Sequence, residues 1–194
     1  MEWFADRGYA CERLDDDVIF EGAGDALTDA DGRVWMGHGQ RSSVEAAAAL
    51  RHALHIDVVP LRLVDPRFYH LDTCFCPLSR GGVVFFPAAF DRASVARIEA
   101  HFAPDDRIAV TETDATAFAC NVVDLGDTVV LNAASQGLQS TLERRGIAVH
   151  KVALGEFMKS GGAAKCLVLP LGSRVRDYST ISRVATPRPR EMTA

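Results

Sequence analysis

The sequence predicts an α/β protein built by repetition. Three observations carry this: apolar spacing alternates between strand and helix periods, the alternation keeps one fixed order, and that order recurs three times. Each unit reads strand, turn, strand, helix, strand, a ββαβ module. The units start near Val18, Phe68 and Thr116, about 50 residues apart.

In the first unit DDVIFEG reads as a strand, and DALTDADGRVWMG carries an Asp-Gly turn and a second strand. The alanine-rich SSVEAAAALRHALH is a helix and IDVVPLRL a closing strand. The second unit follows at once: FYHLDTCFCPL as a strand, the Gly81-Gly82 turn, VVFFP, a helix near ASVARIEAHF, then RIAVTE. The third runs FACNVVDLG, DTVVLN, a helix over SQGLQSTLERRG stopped by Gly146, and AVHKVAL. Partial modules flank these three: residues 1–14 read as the tail of a helix plus a strand, and AAKCLVLPL as an opening strand. The pattern implies a circular array whose first part is absent. Residues 1–171 form the expected domain, and 172–194, with two prolines among basic and hydroxyl residues and no apolar period, are expected to be a flexible tail.

The chain has 194 residues, 48% hydrophobic and 24% charged, the balance of one globular domain. Net charge is −5 and the basic residues are scattered apart from a short Arg cluster in the tail, which excludes the footprint of a nucleic-acid binder. No apolar run reaches the roughly 18–20 residues that span a bilayer, and MEWFADRGYA lacks the features of a signal peptide. A cytoplasmic protein with a small-molecule or protein partner is expected. Its cysteines, Cys11, Cys74, Cys76, Cys120 and Cys166, are odd in number and lack framework spacing, so they read as free thiols.

If FYHLDTCFCPL is a strand, His70, Asp72, Cys74 and Cys76 share one face. An imidazole beside a carboxylate suits a polar cavity or a surface edge. His70 with the two cysteines could instead ligate zinc, although no second pair completes four ligands. Cys166 follows SGGAAK, a loop with little side-chain bulk where backbone can approach a ligand, and a lysine neighbour favours the thiolate. A buried strand cysteine is the competing reading for Cys166, and packing the simplest one for the other four. FEGAGD places Glu21 and Asp25 around small residues, either to hold a cation or as a solvated turn. GHGQRSS puts Arg41 just before a helix, with Ser42 or Ser43 as a plausible N-cap.

Taken in order, FEGAGD, GHGQRSS, FYHLDTCF and SGGAAKCLVLPL resemble the guanidino-group-modifying (pentein) superfamily, built as a five-bladed α/β propeller. Its members include arginine deiminases, dimethylarginine dimethylaminohydrolases, arginine dihydrolases and amidinotransferases. The likeness spans roughly residues 15–171, which corresponds to the carboxy-terminal portion of the family's fold and lacks its first one to two modules. HLDTCFCPL looks closest to the arginine-dihydrolase and dimethylargininase branch. The resemblance implies Cys166 as nucleophile, His70 as acid/base, Glu21 as its support or a guanidinium ligand, and Asp72 as substrate-binding. Asp25 and Arg41 follow as candidate substrate-binding residues. The Glu-Gly-Ala-Gly-Asp here is one residue longer than the usual Glu-Gly-Gly-Asp, which bears on Asp25.

The implied reaction is hydrolysis of a guanidino C–N bond in arginine or an N-methylated arginine, through a thiouronium on Cys166 and without metal or organic cofactor. The alternatives are an amidinotransferase using the same intermediate, or an inactive, assembly-dependent fragment serving as a non-catalytic module. No nucleic acid or membrane partner is expected. An incomplete ring would leave an open edge, so a homodimer or an upstream segment is expected to cover it.

Overall fold

A computed structural model describes residues 2–170. The tail expected over 172–194 lies outside them. Among the described residues nine strands form three separate three-stranded sheets, each repeating one topology. In the first, β1 (Ala26–Thr28) pairs antiparallel with β2 (Val34–His38), and β2 pairs parallel with β3 (Val58–Arg62). The second contains β4 (Phe75–Pro77), β5 (Val83–Phe85) and β6 (Arg107–Ala109), and the third β7 (Val123–Asp124), β8 (Thr128–Leu131) and β9 (Ala148–Lys151). A helix bridges each parallel pair: Ala46–Leu54, Arg92–His101 and Gln136–Arg144. This is the ββαβ module three times, as the periodicity predicts.

The hairpin of the first module shows how local chemistry sets the register. Asp29 accepts the backbone N–H groups of Asp31 and Arg33, and Gly32 takes a φ of +85 that a Cβ would resist. Leu27 then faces Trp35 across the ladder. The second and third module helices start on side-chain caps, Asp91 accepting from Ser94 N–H and Ser135 from Leu138 N–H. The first does not use Ser42 or Ser43 as its cap, because Ser42 is drawn into the interior by Asp25; Glu45 precedes the first turn without a side-chain capping bond.

Among the described residues three expected strands are absent and a fourth is shortened, and three of these four segments lie at module entrances. Residues 2–14 contain only the short helix Glu2–Ala5. DDVIFEG is irregular, tethered where Ser43 N–H meets the Ile19 carbonyl. In FYHLDTCFCPL only Phe75–Pro77 is strand. Leu71–Thr73 is a 3-10 turn, because the Thr73 hydroxyl and N–H both bond the His70 carbonyl and offer the backbone an alternative to the ladder. The face on which His70, Asp72, Cys74 and Cys76 were expected to align therefore does not exist. AAKCLVLPL likewise opens on a 3-10 turn, Lys165–Leu167.

One core runs through all three modules, centred on Trp35, Phe68, Phe75, Leu131 and Leu142, and a smaller one under the first helix holds Met36, Ala46, Leu50 and Val58. Polar links pin neighbouring modules: Trp35 Nε1 and His101 Nε2 both reach Asp29, and Arg80 donates to the Gly146 carbonyl. Among the described residues no helix is long and apolar enough to cross a membrane.

Candidate active site

Module entrances share a backbone signature that places the polar residues. Asp25, Cys74, Asn121 and Val168 each donate their N–H to the carbonyl three residues back, on Gly22, Leu71, Phe118 and Lys165. Superposing these bonds puts Glu21, His70, Ala117 and Ala164 at one position, and Ala23, Asp72, Ala119 and Cys166 at another. The polar residues singled out from sequence thus occupy repeated slots, presented by turns rather than by a strand face.

The turns bring these side chains together. His70 Nε2 lies 2.6 Å from Glu21 Oε2, and Glu21 also holds Arg41 at 3.3 Å from each oxygen. The hydrogen bond with His70, and secondarily Arg41, keeps the Glu21 carboxyl below the usual carboxylate range. Gly24 passes beneath the imidazole, where a Cβ would come within 2.8 Å of Nδ1, so this turn requires glycine. Arg41 stands over the Tyr69 ring, whose hydroxyl donates to the Gly161 carbonyl in the loop leading to Cys166.

Asp72 Oδ2 lies 3.7 Å from Cys166 Sγ. Burial pushes the Asp72 carboxyl up to about 6, and its other oxygen, Oδ1, is buried with no hydrogen-bond partner. Cys166 is exposed as a residue, yet its sulfur is tucked between Asp72 and Asn121, whose Nδ2 lies 3.2 Å away. Desolvation raises the thiol pKa above its ordinary value, and the nearby Asp72 carboxylate adds to the rise. The thiolate expected from the Lys165 neighbour alone is therefore not the resting form. A cation placed between Cys166 and Asp72 would favour it.

Asp25 departs from its expected role. It is fully buried, with Oδ2 accepting from the Ser42 hydroxyl at 2.7 Å and Oδ1 from Leu71 N–H at 2.9 Å. Both oxygens are spent inside the protein, so no free carboxylate faces a substrate; Asp25 instead clamps the turn that carries His70 and Asp72. Asp25→Ala would strand the Leu71 N–H and the Ser42 hydroxyl. It is expected to cost about 2–4 kcal/mol, whereas Asp25→Asn, which keeps an acceptor, costs about 1 kcal/mol or less. Urea unfolding midpoints check this, and equal losses in both variants would count against the clamp.

Asn121 escaped the sequence reading. It is fully buried, and its amide accepts from Lys165 N–H and Cys166 N–H and donates to the Asp72 carbonyl. The signal that could have found it is its register with Asp25, two modules earlier.

The remaining buried cysteines are poor nucleophiles. Desolvation pushes Cys76 up to about 12 and raises Cys74 and Cys120 well above the ordinary thiol range. Cys74 and Cys76 point their S–H groups at the Leu71 and Pro77 carbonyls, and the described residues do not gather them with His70 into a metal-sized group. Asp29, Asp31 and His101 do lie within such a radius. Their atoms are already engaged, however: Asp29 accepts from Trp35 and His101, and Arg33 meets His101 Nδ1, which leaves the ring no free lone pair. A hollow lined by this group and the Gly81-Gly82 turn lies away from Cys166.

Comparison with known proteins follows the same lines. Residues 1–172 match the family model described as N,N dimethylarginine dimethylhydrolase, eukaryotic. The bifunctional arginine dihydrolase/ornithine cyclodeaminase AgrE of Nostoc sp. is 49% identical over 177 residues, covering 91% of this chain and 25% of that protein. The N(G),N(G)-dimethylarginine dimethylaminohydrolase of Mycobacterium tuberculosis is 39% identical over 153 residues, 79% of this chain and 50% of that protein. The crystal structure of the substrate-bound N-terminal domain of ArgZ, a cyanobacterial arginine dihydrolase, aligns with a TM-score of 0.84 at 47% identity, covering 87% of this chain and 62% of that one. The chain thus spans about a quarter of the length of the bifunctional relative and less than two thirds of the solved domain.

Proposed function

We propose, for a chain that belongs to the N,N-dimethylarginine dimethylhydrolase family, that it hydrolyses a C–N bond of a guanidino group in arginine or an N-methylated arginine. The observation that carries the reading is the pairing of Asp72 with Cys166: a buried carboxylate with one oxygen unpartnered, beside a thiol. A guanidinium ion supplies what both lack. Its N–H groups satisfy Asp72, and its charge draws the proton off Cys166.

In the proposed route the Cys166 thiolate attacks the central carbon and forms a C–S bond. The C–N bond then breaks as His70 protonates the departing amine or ammonia. Water, deprotonated by His70, adds to the thiouronium carbon; the C–S bond breaks and releases a ureido product and the thiolate. Glu21 orients His70 through their hydrogen bond. Arg41, held beside Glu21 and Tyr69 and half exposed, is placed to meet an anionic group of the substrate.

The test is to incubate the chain with arginine and with dimethylarginine, with and without an amine acceptor, and to assay ureido product and released amine. Ureido product independent of the acceptor supports hydrolysis. Acceptor-dependent guanidino transfer would replace it with the amidinotransferase reading.

Residues 1–171 fit best as three whole modules and two partial ones of a five-module propeller, lacking its first one to two modules. Two observations support that arrangement: relatives extend well beyond the matched region, and large apolar side chains are exposed at both ends, Trp3 and Ile19 at one and Phe157, Leu167 and Leu169 at the other.

The raised Asp72 pKa has a consequence for stability. A carboxyl whose folded pKa, about 6, exceeds its unfolded value contributes stability that is fully present below about pH 4 and is lost as pH rises through 6. Asp72→Asn removes this loss. The variant is expected to gain of order 2 kcal/mol at pH 7.5 relative to the parent, and much less at pH 4, while guanidino ligands bind more weakly. Melting temperatures at the two pH values check it, and an equal change at both would show that Asp72 is not the titrating group.

A further inference from the structure

Asp25 and Asn121 occupy the same position of modules one and three, and they make the same bond. Asp25 Oδ1 accepts the N–H of Leu71, the first residue of the next module's turn, at 2.9 Å; Asn121 Oδ1 accepts the N–H of Lys165, its counterpart, also at 2.9 Å. The fold thus uses one clamp twice. The clamped turns differ in what they carry: the first holds Asp72, the second the thiol of Cys166.

A carboxylate clamp is tolerable at the first turn, where the second oxygen meets the Ser42 hydroxyl. At the second turn the corresponding atom lies 3.2 Å from Cys166 Sγ. A second oxygen there would face the sulfur with negative charge and would also oppose the Asp72 carbonyl. The amide instead turns an N–H toward both. Its Oδ1 accepts the N–H groups of Lys165 and Cys166, so every hydrogen-bonding capacity of this fully buried side chain is used.

We infer that Asn121 is a positioning residue for the nucleophile: it fixes the Cys166 turn against Asp72 and, through Nδ2, stabilises the developing thiolate. The inference rests on the proposed role of Cys166. Among the groups that face the sulfur, Asp72 and burial oppose ionisation, while Asn121 and the backbone near Ala163 favour it. Asn121 is the side chain that offsets the carboxylate which the substrate requires.

The test is the pH dependence of iodoacetamide alkylation at Cys166, followed by peptide mass mapping so that the other cysteines do not interfere. This readout needs no turnover. Asn121→Ala and Asn121→Asp are each expected to move the Cys166 alkylation midpoint upward by about half a pH unit or more, with Asp the larger because it adds charge while retaining the acceptor. Where turnover is measurable, kcat should fall at least about tenfold with KM little changed.

A clamp that only holds the loop gives a different pattern: Ala would lower the midpoint as the sulfur gains water and would leave kcat near that of the parent. That result would overturn the inference. Asp raises the midpoint by its charge under either reading, so it reports only that position 121 faces the sulfur. A melting curve of each variant shows which remain folded; Asn121→Ser, too short to bring a donor to the sulfur, carries the test if Ala does not fold. Cys166→Ser separates the two levels: retained turnover there would sink the nucleophile reading, whereas its loss combined with an unmoved or lowered alkylation midpoint in Asn121→Ala sinks only the role of Asn121.

Discussion

Cys166→Ser is expected to abolish guanidino hydrolysis, with kcat down by a factor of about 10⁴ or more, while Cys74→Ser and Cys76→Ser keep most of it. The expectation follows from the contrast among the thiols. Cys74, Cys76 and Cys120 are buried, with pKa values raised chiefly by desolvation. Cys166 alone is exposed, beside a carboxylate able to bring a cation to it. Iodoacetamide at neutral pH gives an independent check. Cys166 should react ahead of Cys74, Cys76 and Cys120, and arginine should protect it. Faster labelling of one of those three, with Cys166 inert, would rule out the assignment.

The second large effect is expected from His70→Ala, which should lower kcat by about 10²–10⁴ while guanidino ligands still bind. His70 is tied to Glu21 rather than to Asp72, so the proton-transfer pair and the proposed cation-binding carboxylate are structurally separate. Removing the imidazole leaves Asp72 and Cys166 in place. Glu21→Gln should mimic it in part, because the pair loses its charge but not its contact. Ligand titration with arginine decides the matter: a loss of affinity in His70→Ala as large as that in Asp72→Asn would end the division of roles.

Much of this architecture was legible in the sequence, and most of the failures share one location. The three modules, their helices and the strands β2, β3, β5, β6, β8 and β9 follow from periodicity, because apolar spacing reports which face is buried. The entrances do not. There, FYHLDTCF and DDVIFEG look like strands by composition, yet Thr73 bonds the nearby His70 carbonyl and Ser42 bonds Glu21 and Asp25 from across its own module, and these bonds bend the chain. Periodicity carries no record of such bonds. The same gap explains Asp25 and Asn121. Asp25 stood out because a carboxylate among glycines suggests a ligand, but its partners, Ser42 and Leu71, are contributed from a distance. Asn121 drew no attention inside an apolar run, where only the register between modules could have exposed it.

The paired clamps also bear on how the chain loosens. Turns at the mouth of a site ordinarily exchange their amide hydrogens quickly, because they breathe without disturbing the core. Here the amides of Leu71, Lys165 and Cys166 are locked by fully buried side chains that belong to a preceding module. Deuterium should therefore enter these three positions about as slowly as it enters the centre of β5 or β8. Release requires the neighbouring repeat to open as well, so the stretches that present the reactive groups would be lost together with the interior rather than before it.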